Sequence, residues 1–476
     1  MLKEMYVLNF KKILCLLLAI TAVFTIVACG KKEEKEGGLT VGNADLEYLD
    51  YIGIEDMNGY EFRILNRQGM VEDQYVEEET GDIINDAVYR RNETVKQIFN
   101  VDILSIESSS NTADDALNTI LAGDDQYDVI FPHSRVAFSY AIQKSLVNLN
   151  EVETIDFSKE WWSQDIIDSC SVNNHLYVLD GDISTHRLYY AFAMYFNKRI
   201  FDELGLDYPY AMAQEGTWTF DEFSKLVKQG SKDLNGDGLI KAEDDQYGYF
   251  TREWFGPIQV LYSGGQRIYN KNAKGIPTLT INSPKTVEIY SKFFNLANSE
   301  DVFMQLTPAR PAPEDLFRVG RAMFADNDLG GAKSMRNMTD EFGILPWPKF
   351  SKEDRYNTVV NGHASLLIMP LTVEDPNKSG KIIEALCAVG HRDVIPAFYD
   401  VSLKTKFSRD YESEAMIDII KDSIIYDLGY IAGGEFDSTG AHLAGQSNPD
   451  FAAFYAANES NAVSDIKNFL TAYAGM

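Results

Sequence analysis

Apolar and polar residues alternate over Tyr60–Leu65, the period-two signature of a strand with one face buried. Helical spacing takes over at Ile84, Val88, Val95 and Phe99, predicting a helix over Ile83–Phe99. Val101–Ile106 reads as a second strand and Thr112–Ala122 as a second helix, stopped by Gly123. Tyr127–Phe131 reads as a third strand, closed by Pro132. Strand, helix, strand, helix, strand with short joins is the pattern of a parallel sheet covered by helices, an α/β fold. Such sheets take ligands at the carboxyl ends of their strands. Asn66 and Arg67 after the first strand, and His133 and Arg135 after the third, are therefore candidate ligand contacts.

Further along, Leu176–Asp182 and the apolar Leu188–Asn197 precede a helix over Lys198–Leu204 that Gly205 ends. Asp182 is a further candidate contact. Thr219 and Glu222 have capping-box spacing, in which each side chain satisfies the other's backbone amide at the start of a helix running to about Ser231. Ile382–Val389 has an amphipathic helical pattern that would bury Cys387.

The N-terminus differs in kind. Lys3, Lys11 and Lys12 precede an uncharged, mainly apolar run from Ile13 to Val27, shorter than the roughly 20 residues a membrane span requires. The run ends in Ile26-Val27-Ala28-Cys29-Gly30, which resembles the lipobox of bacterial lipoproteins. The resemblance implies a signal peptide over 1–28 and lipidation of Cys29, with the chain beyond it anchored at the outer face of the cell membrane. Residues 29–50, charged and polar, read as a flexible tether.

The 476 residues exceed what one hydrophobic core usually supports, so two domains are expected. A formal charge of −29 repels phosphate backbones and argues against nucleic-acid binding. Outside the signal and lipobox only Cys170 and Cys387 remain, too few for a disulfide framework, and the two are expected to stay unpaired.

The sharpest local motif is Asp233–Asp244. Oxygen side chains fall at loop positions 1, 3, 5 and 12 (Asp233, Asn235, Asp237, Asp244), with Gly238 at position 6 and the Leu239 carbonyl at position 7. Calcium needs several oxygens from one short segment, and this spacing supplies them. Lys241 stands at position 9 and Asp244 where an EF-hand has Glu, and a strand-like Gln246–Phe250 follows in place of a second helix. The expected role is a structural Ca2+ ion, not a calcium sensor; a metal-free Asx turn is the bland alternative.

Several ordered segments resemble extracellular solute-binding proteins of ABC transporters related to maltose-binding protein. These are Tyr127–Ile130, Tyr195–Leu206, Thr217–Phe223, the acidic loop followed by Gln246-Tyr247-Gly248, and Phe342–Pro348. The similarity spans roughly residues 55 to 430. It implies a periplasmic-binding-protein type II-like fold of two α/β lobes joined by hinge crossovers near 181–185, 361–364 and 400–405. The lobes would comprise 51–182 plus 363–402 and 183–362 plus 403–476. It also implies a non-enzymatic monomer that captures a carbohydrate, an oligosaccharide by family analogy, and delivers it to permease subunits. Trp254 and Phe255 match the position of an aromatic beneath the sugar in relatives. Asn327 and Asp328 match a cleft-lining strand end, and Phe436 a loop that closes the cleft. Trp161-Trp162 suits either capping the cleft or anchoring a helix.

Two other classes compete. An extracellular carbohydrate-active hydrolase would need paired carboxylates, which 72 acidic residues do not exclude. The chain has no H-E-x-x-H, G-x-S-x-G, C-x-x-C or Walker motif. A calcium-dependent surface binding protein is the third reading.

Overall fold

A computed structural model describes residues 41–476 apart from 242–243, 307–312, 336 and 400–410. The signal segment, Cys29, most of the tether and the crossover expected at 400–405 lie outside the described residues. Asn43–Met476 forms one compact unit. No helix among the described residues is long and apolar enough to cross a membrane.

Two sheets organise the compact unit. The first holds β1 (Tyr60–Asn66), β2 (Val101–Glu107) and β3 (Val129–Phe131) in the order β2-β1-β3, all parallel. The helix between β1 and β2 runs Ile83–Phe99, where the periodicity places it, because Asp82 accepts from the Ile84 and Asn85 amides and Asn100 closes it in the left-handed region. The next helix is shorter than expected, Ala116–Leu121 in place of Thr112–Ala122. Asp115 is bonded to Ser108 and Ser109, and Asp114 to Ser110 and Thr112. This side-chain network competes with helix formation until Ala116.

The second sheet comprises β4 (Phe192–Asn197), β5 (Tyr247–Arg252), β8 (Val302–Gln305), β9 (Ala322–Asp328) and β10 (Phe342–Leu345), with a small hairpin of β6 (Tyr269–Lys271) and β7 (Pro277–Leu279) to one side. Its order is β10-β4-β9-β5-β8. β4 runs antiparallel to both neighbours, whereas β5 is parallel to β8 and β9, so this sheet is mixed. All six residues of β4 are buried; Phe196 within it meets Phe201, from which Phe324, Trp218, Phe223, Tyr249 and Trp347 continue as one aromatic cluster. The apolar stretch expected over Leu188–Asn197 divides into a helical turn, His186–Tyr189, and β4.

The chain passes between the sheets more than once. Val360 bridges Ala191 beside the second sheet, and five residues later Ser365 bridges His133 beside the first. Ile368 then bridges Ile130, extending the first sheet antiparallel.

Several local expectations are corrected. Asn43–Leu49, assigned to the tether, is helical: Leu49 is buried and the Tyr48 hydroxyl donates to the Ala388 carbonyl. Of the capping box only half forms, since Thr219 accepts from the Glu222 amide while the Glu222 carboxylate turns to Lys225. Trp161 and Trp162 anchor rather than cap: both indole N–H groups donate to Glu384, a carboxyl whose pKa burial pushes up to about 7. Cys170 and Cys387 are buried and unpaired.

Candidate functional site

β5 ends at Arg252, and after three intervening residues the helix Gly256–Ser263 begins, with Pro257 in its first turn. The joint between them is tight. A Cβ on Gly256 would lie 2.6 Å from the Tyr249 hydroxyl and 2.7 Å from Thr251 Oγ1, so glycine is required there. Thr251 accepts from the Gly256 amide and donates to Asp326. The turn therefore holds Trp254 out, 49% exposed, while Phe255 is buried against Phe192.

Trp254 and Phe255 line a cavity of about 320 Å³ with Arg252, Ile258, Asn327 and Asp328 on the side of the second sheet. His133 and Arg135 face them from the end of β3, and Asn361, Gly362, His363 and Tyr430 complete the wall. Six candidates are thus brought together: His133, Arg135, Trp254, Phe255, Asn327 and Asp328.

The polar groups of this wall are held in place. His133 begins the helix Ser134–Ile142, its Nδ1 accepting from the Arg135 amide. Burial and the neighbouring Arg67 push its pKa down to about 3, so the ring is neutral and its proton sits on Nε2. Arg135 pairs with Asp437 at 3.1 Å. The Asn361 amide donates to both oxygens of Asp328 at 3.1 and 3.3 Å. Burial raises the Asp328 pKa to about 8 and that of Asp326, behind it, to about 7. Asp328 is the one carboxyl in the lining.

Four candidates lie elsewhere. Asn66 is fully buried, its amide donating to Ser105 Oγ. Arg67 is 3% exposed, with Nε donating to the Asn111 carbonyl and Nη1 to that of His363, which places it behind the wall. Asp182 is buried in ion pairs with Arg187 and His391, both at 2.6 Å. Phe436 is buried and stacks on Tyr455 at 5.3 Å, so its ring packs the interior, although its neighbour Asp437 reaches Arg135. Sequence reasoning missed Arg252, Asn361, His363 and Tyr430. Of these, Arg252 lies two residues before a recognised candidate pair and was open to inference.

A second cavity of about 370 Å³ is lined by Met70, Asp73, Ile84, His186, Tyr189, Tyr190 and Phe398, among others. It too draws on segments next to both sheets.

In the acidic loop, oxygens of Asp233, Asp237 and Asp245 lie within 4.8 Å of one another. Asp245 stands where Asp244 was expected, its carboxylate also accepting from the Leu234 and Lys241 amides. Asn235 accepts from the Asp237 amide, and Asp237 accepts from the Leu239 amide. Calcium–oxygen distances are about 2.3–2.6 Å, so opposed ligands stand about 5 Å apart and the cluster is of the right size. Ile240 packs against the core of the second sheet, pinning the loop.

No protein-family model matches the chain, and no curated protein sequence does. Solved structures do. An ABC substrate-binding protein of Listeria monocytogenes in complex with cycloalternan aligns at a TM-score of 0.52 and 14% identity, over 87% of this chain and 98% of that one. The maltose/maltodextrin-binding domain MalE from Bdellovibrio bacteriovorus, bound to maltotriose, aligns at 0.54 and 12%, over 86% and 100%. UgpB from Mycobacterium tuberculosis, in complex with glycerophosphocholine, aligns at 0.55 and 13%, over 87% and 98%. The chain has the α/β fold of ABC-transporter substrate-binding proteins, of periplasmic-binding-protein type II-like architecture.

Proposed function

We propose that this chain is the substrate-binding component of an ABC importer, capturing a carbohydrate between two lobes built on the two sheets and passing it unaltered to permease subunits. The observation that carries the reading is the cavity joining His133 and Arg135 from the end of β3 to Trp254 and Asp328 from the second sheet. A half-exposed indole offers the flat apolar face that a pyranose ring stacks on, and the polar rim answers its hydroxyls. Two of the three similar structures carry oligosaccharides, cycloalternan and maltotriose, which supports a carbohydrate ligand; the third carries glycerophosphocholine.

In this reading the N-terminal segment is a cleaved signal, Cys29 carries the lipid anchor, and the monomer works at the outer face of the cell membrane. The acidic loop binds one structural Ca2+ through Asp233, Asp237 and Asp245, assisted by Asn235 and the Leu239 carbonyl.

A melting-temperature screen of the full chain against a glycan panel, followed by chromatography of each glycan, tests the function. A sugar that stabilises the protein and is recovered intact supports it. A sugar recovered as cleavage products, or a panel with no shift at all, rejects it.

A further inference from the structure

The cavity beside Tyr189 and Tyr190 has an aromatic face of its own. A Cβ on Gly330 would lie 2.4, 2.5 and 2.5 Å from the Cε2, Cδ2 and Cζ atoms of Tyr189, so the ring lies flat on that glycine. Backbone covers one face, and the half-buried ring lines the cavity with the other. Tyr190 stands against Tyr189 with centroids 5.0 Å apart and planes at 66°, and His186 meets Tyr190 at 5.1 Å and 86°. Met70, Ile84 and Phe398 add apolar surface.

Polar groups along this lining are open. The Tyr189 and Tyr190 hydroxyls, the Asn85 side-chain amide and the Glu72 carboxylate have no partner within the protein among the described residues. Burial raises the pKa of both tyrosines, that of Tyr190 to about 12, so each hydroxyl keeps a proton to donate and can also accept. Charge favours neither sign. Asp73 is occupied by the Ser184 hydroxyl and by the Thr185 hydroxyl and amide, and Asp82 accepts from the Ile84 and Asn85 amides. Glu72 and Lys333 are of opposite charge, and burial keeps His186 neutral, its Nδ1 accepting from the Ser365 amide. Arg67 and Asp73 act on Tyr190 in opposite directions. A flat ring face beside groups that both donate and accept suits an uncharged ring carrying hydroxyls, which has a C–H face to stack and a rim to hydrogen-bond.

We infer that this cavity is a second binding site, for a neutral monosaccharide or cyclic polyol stacked on Tyr189 and hydrogen-bonded by Tyr190 and Asn85. It shares no lining residue with the Trp254 cavity and does not depend on capture there. Calorimetry on the full chain and on its Trp254→Ala variant with glucose, galactose, mannose and myo-inositol tests it. At least one of the four is expected to bind Trp254→Ala saturably, with one site per chain. In that background Tyr189→Ala should weaken binding about tenfold, and Tyr190→Phe, which removes a single hydroxyl, about threefold. Each double variant is first shown to keep the melting temperature of Trp254→Ala; if Tyr189→Ala does not, Tyr190→Phe alone decides.

Binding that vanishes in Trp254→Ala would put the occupant in the first cavity, overturning the second site and leaving capture standing. Binding that is undiminished by Tyr190→Phe would overturn the assigned wall. No saturable binding of any of the four to either protein would overturn the second site, whereas capture at Trp254 fails only if the glycan panel also gives no shift.

Discussion

Trp254 and Phe255 are neighbours with opposite fates: one ring is half exposed at the cavity and the other is buried against Phe192. Truncating the first removes a stacking surface without opening the core. Trp254→Ala is therefore expected to leave the melting temperature of the free protein within about 1 °C, since surface changes away from special features stay within about 0.5 kcal/mol. It should abolish most of the stabilisation by a bound sugar, about 2.7 kcal/mol at a hundredfold excess over Kd. An undiminished ligand shift would reject Trp254 as the stacking residue. Glu384 presents the contrary case, a carboxyl serving the fold. It accepts from Trp161, Trp162, the Tyr51 hydroxyl and the Asp156 amide, and burial raises its pKa from 4.5 to about 7. Because the folded value exceeds the unfolded one, the native state holds the extra proton between them. Its contribution is complete below about pH 4.5 and is lost as pH rises through 7. Glu384→Gln imitates the protonated form, and its melting temperature should fall less than the parent's between pH 5 and about 7.5. Parallel pH profiles for the two proteins would show that Glu384 does not titrate there.

At the scale of elements, local signals were legible where local chemistry decides. Ile83–Phe99 has its expected bounds because a side-chain cap and a left-handed closing residue lie in the sequence next to it. Asp182 shows the limit: a short polar segment looked open, yet Arg187 and His391 enclose its carboxylate, and His391 comes from more than 200 residues away. Asn361 and His363 reach the cavity through the chain's return toward the first sheet, which periodicity does not report. Phe436 was placed near the right wall, but the residue that reaches it is Asp437. Packing between elements leaves its own sharp marks. A Cβ on Gly248 in β5 would stand 1.8 Å from the Val227 carbonyl oxygen, so the helix Phe220–Gly230 lies directly on that strand. Gly248→Ala should destabilise by about 3 kcal/mol, at the upper end of overpacking effects, measured by urea unfolding. A loss under about 0.5 kcal/mol would mean that helix and strand are not in close contact. The acidic loop follows this helix. In calcium, Asp237→Asn should weaken both ion binding and the ion's stabilising effect, with the melting temperature in chelator unchanged because the carboxylate is exposed. A calcium titration that gives no heat with the parent protein would reject the site.

The whole molecule is where capture has to be demonstrated, since the cavity is bounded by segments of both sheets and a pivot between them would change its width. The chain near Ile183–Ala191 and near Asn361–Ser365 joins the regions of the two sheets, and in the proposed capture reading these segments would be the hinge. The second cavity draws on the first of these segments, through Thr185, His186, Tyr189 and Tyr190, and the Trp254 cavity on the second, through Asn361, Gly362 and His363. A bound ligand shifts such an equilibrium only by its differential affinity for the closed form, so the change should scale with occupancy and saturate with it. Small-angle scattering at increasing concentrations of a sugar found to stabilise the protein is therefore expected to show a falling radius of gyration that follows the calorimetric binding curve. A Trp254→Ala variant, with its weakened grip, should trace the same fall at higher sugar concentration and reach the same end point, because the residue sets affinity and the connecting segments set the motion. If scattering stayed constant through saturation, binding would involve a preformed rigid pocket, and delivery by hinge opening would have to be abandoned.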